Sequence, residues 1–122
     1  MTRATKIGKD GKPVWRSKYN NKRVKEDNIT FDSLLELRRY RELKLLLKAG
    51  RIADFEVHRS FPIEVKGHLI CHYEADFTYW RGTDIPSYEF VAEDCKGVKT
   101  PLYKLKKKLM KAVWGIDIVE IK

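Results

Sequence analysis

The sequence predicts an α+β domain laid out in the order αβββαβ, a mixed sheet flanked by helices. Three observations carry that expectation. The stretch FDSLLELRRYRELKLLLKAG is dense in Leu, Arg, Lys and Glu and ends in glycine, as a helix does. Three later stretches, DFEVHRSFPIEV, HLICHYEADFTYW and YEFVAEDCK, are rich in aromatic and β-branched residues, as strands are. Thr100-Pro101 then opens a second helix, with proline at the first helical position where its missing N–H costs nothing. Gly115 closes that helix and leaves IDIVEI as a final strand.

Each element has its own local reason. Residues 1–17 hold two glycines, one proline and scattered charge without periodicity, and read as a flexible basic arm before a single domain spanning 18–122. In the first helix Asp32 or Ser33 offers an N-cap oxygen and Gly50 serves as the C′ residue. Pro62 interrupts the first strand and suits it to a sheet edge. RGTDIPS, residues 81–87, makes the turn between the second and third strands. On the second helix Leu102, Leu105, Leu109 and Val113 define the expected buried face, with Lys104, Lys107, Lys108 and Lys111 pointing away. Lys106 stands only about 40° from Leu102 on a helical wheel, at the margin of that face.

Bulk properties narrow the function. The chain has 122 residues, 43% hydrophobic and 35% charged, which is a globular composition. No apolar run approaches the roughly 20 residues that span a bilayer, and the N-terminus lacks the apolar core of a secretory signal. Cys71 and Cys95 are too few for a disulfide framework, so a cytoplasmic protein with reduced thiols is expected, without a membrane partner. The net charge is +9, and it is concentrated at the two ends. Residues 1–25 hold nine Lys/Arg, Lys22 and Arg23 among them, against Asp10 alone. Residues 96–111 hold seven lysines, including Lys99, Lys104 and Lys106, and no acid. Such a footprint suits a polyanion, most often nucleic acid.

Three acids sit where apolar residues belong. In YEFVAEDCK alternation puts Phe90, Ala92, Asp94 and Lys96 on one face and Val91, Glu93 and Cys95 on the other. By itself Asp94-x-Lys96 is the pattern of a surface ion pair at a strand end. In YEADFTYW, Tyr73, Ala75, Phe77 and Tyr79 make an apolar face, and Asp76 stands opposite between Glu74 and Thr78. Aspartate is depleted in strands, so Asp76 reads either as a solvated position or as a metal-binding carboxylate. Glu36 lines up with Tyr40, Leu43 and Leu47 on the first helix. Ser33-x-x-Glu36 also spells a capping box, in which Glu36 returns to the Ser33 N–H. With Asp32 as the cap, Glu36 instead faces the sheet.

Together, Glu36, Asp76 and Asp94-Cys95-Lys96 resemble the PD-(D/E)xK nuclease superfamily. Within it the chain is similar to a family of small phage-encoded proteins, through KYNNKRV, FDSLLE, RYREL, Gly50-x-Ile52, YEADFTYW, EDCKGVKT, the LKKKL helix and GIDIVEI. The resemblance covers about residues 18–121. His58 departs from it, standing where glutamine is expected. It implies a restriction-endonuclease-like αβββαβ core and a Mg²⁺-dependent DNA endonuclease, with Mn²⁺ as a substitute ion. Asp76, Asp94 and the Cys95 backbone carbonyl would hold the metal, Glu36 would join directly or through water, and Lys96 would hold the attacking water.

Lys99, Lys104, Lys106, Lys22 and Arg23 are the expected nucleic-acid contacts. The resemblance further implies action on replication or recombination intermediates in the host cytoplasm, leaving 5′-phosphate and 3′-hydroxyl ends. Branched DNA such as a Holliday junction fits, and would want a homodimer presenting two sites. Two rivals are weaker. His68, Cys71, His72 and Cys95 lack a standard zinc spacing. A non-catalytic nucleic-acid-binding module using the basic ends leaves the three acids unexplained, because acids repel phosphate unless a cation bridges them.

Overall fold

The computed structural model describes residues 4–7, 13–15, 23–82, 88–95 and 98–122. Lys22 and Lys96 therefore lie outside the described residues, as does most of the 81–87 turn. The described chain forms two compact units, Met1–Leu37 and Arg38–Lys122.

The first unit contains two small antiparallel ribbons. Within the segment read as an arm, β1 (Ala4–Ile7) pairs with β2 (Pro13–Trp15). Next, β3 (Val24–Glu26) pairs with β4 (Ile29–Phe31) across Asp27 and Asn28. Both turn residues have positive φ, 54° and 62°, which Asp and Asn tolerate and which a tight two-residue hairpin demands. The sequence reading missed this hairpin, whose strands are too short to show a period. Helix α1 (Leu34–Lys48) begins here, and Arg51 N–H returns to the Leu46 carbonyl at 2.9 Å beyond its C-terminus. Gly50 takes the left-handed conformation at that end, φ 75°, as expected of a C′ glycine.

The second unit carries one four-stranded sheet in the order β5-β6-β7-β8. Its strands are β5 (Ile52–Val65), β6 (His68–Arg81), β7 (Glu89–Cys95) and β8 (Val119–Ile121). The first three pair antiparallel, with Lys66-Gly67 turning β5 into β6. β8 pairs parallel to β7, and such a pair needs a crossover, here helix α2 (Pro101–Leu109) and the π-helical turn Met110–Trp114 that continues it. The element order is thus αβββαβ, with a mixed sheet and two helices, in agreement with the fold class expected of a restriction-endonuclease-like core. Edge strand β5 carries Pro62, as anticipated.

Two apolar clusters form on opposite faces of the sheet. On the α1 face, Tyr40 meets Phe55 and Phe77 at ring distances of 6.0 and 6.4 Å. The α2 face holds the larger core of Phe61, Ile63, Tyr73, Ala75, Ala92, Tyr103, Met110 and Ile118. This division corrects one expectation: Tyr73 and Ala75 lie in the α2-side core, whereas Phe77 packs on Tyr40, so the odd positions of β6 do not share a face. The same reversal occurs on β5, where Phe55 meets Tyr40 but Phe61 stacks edge-on to Trp114. Between them His58 is left-handed, φ 57°, and a single such residue breaks the strict alternation of an extended strand.

A second correction concerns α2. Leu102, Leu105 and Val113 are 59%, 54% and 41% exposed, while Tyr103 and Met110 are buried; of the expected face, Leu109 packs against the core. Lys107 does not point away but reaches Glu120 on β8 at 3.4 Å, and the Tyr103 hydroxyl donates to the same carboxylate at 2.9 Å. A polar anchor on the neighbouring strand sets the rotation of this helix against its leucine stripe. Its start is as expected, with Thr100 Oγ1 accepting from Tyr103 N–H at 3.1 Å and Pro101 following. Its end is too: Gly115 is left-handed and Ile116 N–H closes on the Met110 carbonyl. Among the described residues no helix is long and apolar enough to cross a membrane.

Candidate metal centre

The β6–β7 ladder runs inward from Arg81–Glu89 to Phe77–Glu93. Asp76 and Asp94 are the next residues on the two strands, at the point where the pairing ends. Asp76 Oδ2 accepts from the Cys95 N–H at 2.7 Å, so a carboxylate stands where a backbone carbonyl would continue the ladder. Asp94 is 1% exposed, and its Oδ2 accepts from the Tyr73 hydroxyl at 2.5 Å. Burial first, and then the negative charge of Asp94, push the Tyr73 phenol far above its ordinary range. Tyr103 is pushed up as well, by burial, by its bond to Glu120 and by the charge of Asp94. Asp76 contributes to both shifts, so the two carboxylates act on the same pair of phenols.

Beside Asp94 opens a pocket of about 260 Å³ lined by Tyr73, Glu74, Thr100, Leu102, Tyr103 and Lys106. Lys106, at the margin of the expected buried face, is thus half-buried on the wall of the Asp94 pocket. A second cavity of about 490 Å³ runs along α2 and is lined by Lys99, Lys104, Lys107, Lys108 and Lys111 together with Tyr103, Asp117, Ile118 and Glu120. Lys99 is held by Glu120 at 3.0 Å, and Lys104 is exposed on the cavity rim. Arg23 belongs to the first unit, where it makes a surface pair with Asp32 at 3.5 Å.

Glu93 turns the other way. Its carboxylate receives Arg39 Nε at 2.8 Å and a second guanidinium nitrogen at 2.6 Å, and the Tyr79 hydroxyl donates to it as well. Burial and the bond to Glu93 push the Tyr79 phenol up to about 12, and Glu93 raises Arg39 further above its already high value. This is a structural ion pair under α1.

Glu36 is buried in the first turn of α1, and there its cap is explicit. Ser33 is the N-cap, its Oγ accepting from Glu36 N–H at 3.2 Å. Glu36 Oε2 returns to the Asp32 N–H at 3.1 Å, one residue beyond the Ser33 N–H of a standard capping box.

One neighbour of Asp76 had no role in the sequence reading. The pairs Val57–Phe77 and Arg59–Ala75 flank His58 and Asp76, which therefore face each other across β5 and β6. A ring nitrogen of His58 and a carboxylate oxygen of Asp76 lie within 4.8 Å of one another. The signal for it was the departure itself, a histidine where glutamine is expected. Asp76 is thus fixed by a backbone N–H and Asp94 by a phenol, and carboxylate oxygens are the donors that hard divalent cations take.

No curated protein and no solved structure matches the chain. A family model does match it, over residues 16–118, which takes in every described element from β3 to α2 and the whole ladder end around Asp76 and Asp94. On that match the chain belongs to the family described as "Protein of unknown function (DUF1064)".

Proposed function

We propose that this protein is a divalent-metal-dependent endonuclease that hydrolyses phosphodiesters of DNA, with Mg²⁺ as the working ion and Mn²⁺ able to replace it. One observation carries the reading: neighbouring strands bring Asp76 and Asp94 to one ladder end, beside a pocket walled by Lys106, in a chain of net charge +9. Carboxylates at that point would repel a phosphate unless a cation lay between them. When bound, that cation supplies charge neutralisation at phosphorus and acidifies a water.

The chain's own residues do the rest. Asp76 and Asp94 would hold the ion, with the Cys95 carbonyl as the superfamily resemblance implies. The Cys95 N–H and the Tyr73 hydroxyl fix the orientation of the two carboxylates. Lys96 holds the attacking water and favours its deprotonation, and Lys106 meets the phosphate from the pocket wall. Glu36 belongs to this reading on the sequence resemblance. Water attacks phosphorus, the bond to the 3′-oxygen breaks, and 5′-phosphate and 3′-hydroxyl ends result. The phage-like resemblance points to branched DNA in the host cytoplasm as substrate, with a homodimer where two strands are cut.

A second reading, a non-catalytic nucleic-acid-binding module, draws on the lysine-lined cavity along α2. One experiment separates the two. Supercoiled plasmid, linear duplex and a four-way junction are incubated with the protein in Mg²⁺ or EDTA, beside Asp94→Ala and Lys96→Ala. Cleavage is expected in Mg²⁺ alone, at least about 100-fold slower in each variant. Cleavage indifferent to EDTA and to both substitutions sinks the mechanism. Salt-dependent binding without cleavage of any substrate favours the binding module.

A further inference from the structure

We infer that His58 is an additional ligand of the centre at Asp76, and that its imidazole biases the centre toward first-row transition-metal dications over Mg²⁺. This inference rests on the metal-site reading given above and goes beyond its carboxylate donors.

Two features of β5 and β6 lead to it. The strand register sets His58 opposite Asp76, because the flanking pairs Val57–Phe77 and Arg59–Ala75 leave those two residues face to face. Within that register a His58 ring nitrogen and an Asp76 oxygen are no more than 4.8 Å apart. Two donors bound at about 2.1 Å on opposite sides of one ion would stand about 4.2 Å apart, so a small rotamer change suffices. Asp76 is already oriented by the Cys95 N–H, as ligating carboxylates are by their outer partners.

Ligand chemistry then sets the preference. Mg²⁺ takes oxygen donors, keeps its waters and demands near-ideal octahedral geometry. Imidazole nitrogen suits the later first-row dications, and affinity for mixed nitrogen and oxygen donors rises along that series. A glutamine at position 58 would offer an amide oxygen and no such bias. The left-handed backbone of His58, φ 57°, supplies the rival explanation, since histidine tolerates that conformation better than most residues. Asparagine tolerates it too, and so separates the two roles.

The test measures binding, not activity. Mn²⁺ and Mg²⁺ are titrated into the full chain by calorimetry, for wild type, His58→Asn and Asp76→Asn. Expected is a wild-type preference for Mn²⁺, lost in His58→Asn through about tenfold weaker Mn²⁺ binding with Mg²⁺ affinity within about twofold. Asp76→Asn should weaken both ions. An unchanged Mn²⁺-to-Mg²⁺ ratio in a folded His58→Asn overturns the inference and leaves the nuclease reading standing. Failure of the wild type to bind either ion overturns both. Selective loss of Mn²⁺ in His58→Asn, in a protein that cleaves no nucleic acid, keeps this inference and removes the nuclease.

Discussion

Glu93 and Asp94 are adjacent on β7, each 1% exposed, and they meet opposite fates. Glu93 faces α1 and receives a guanidinium through two hydrogen bonds, with a phenol beside it. Asp94 faces the α2 side and is held by the phenol of Tyr73 next to a pocket. A guanidinium cancels a carboxylate's charge, whereas a phenol only orients it. The strand's alternation thus separates a carboxylate locked under α1 from one held beside an opening. The same contrast shows that two equally buried acids on one strand can meet different donors.

The largest effect should come from breaking the Glu93 side. Arg39→Ala leaves a buried carboxylate without its guanidinium and should cost about 3–5 kcal/mol, read from urea unfolding. A loss below about 1 kcal/mol would mean that Glu93 is not held by charge, and the contrast with Asp94 would fall.

Removing one hydroxyl from each side sharpens the comparison. Tyr73→Phe deprives Asp94 of its phenol and should cost about 2 kcal/mol, since hydrogen bonds to charged groups are the stronger ones. Tyr79→Phe leaves Arg39 on Glu93 and should cost about 1 kcal/mol. Denaturant midpoints of the two variants compare them directly, and an inverted order would contradict the assignment of the two acids.

The smallest effect lies away from both, at Glu120. The bond from Lys99, helped by Tyr103 and Lys107, holds its carboxyl down from 4.5 to about 2. A lowered folded-state value means that the contribution is fully present above about pH 4.5 and is lost as pH falls toward 2. Thermal melts between pH 2 and 6 should show this slope in wild type and a shallower one in Glu120→Gln. The change is small because the group is partly solvated.

The αβββαβ order and the punctuation of both helices were legible in the sequence. Gly50, Gly115 and the Thr100-Pro101 start are local backbone requirements, and the structure meets each of them. The β3–β4 hairpin was not read, because its three-residue strands carry no period and its signal is only the Asp27-Asn28 pair. The rotation of α2 was misread because a leucine stripe at helical spacing looks like a core face. What turned the helix was Glu120, a strand residue 17 positions beyond Tyr103.

The candidate site divides along the same line. Its donor types, and the opposition of Asp94 to Glu93, follow from the sequence by itself, because alternation along one strand is a local property. So do the basic ends and the absence of a long apolar run. Only the tertiary structure decided that Asp76 reaches the Cys95 N–H, that the Tyr73 hydroxyl reaches Asp94, and that His58 faces Asp76. Those outcomes depend on the register of three strands and on one left-handed residue that reverses the facing of side chains. Long-range pairing is set by how the whole sheet packs between its helices, and no window of sequence contains it.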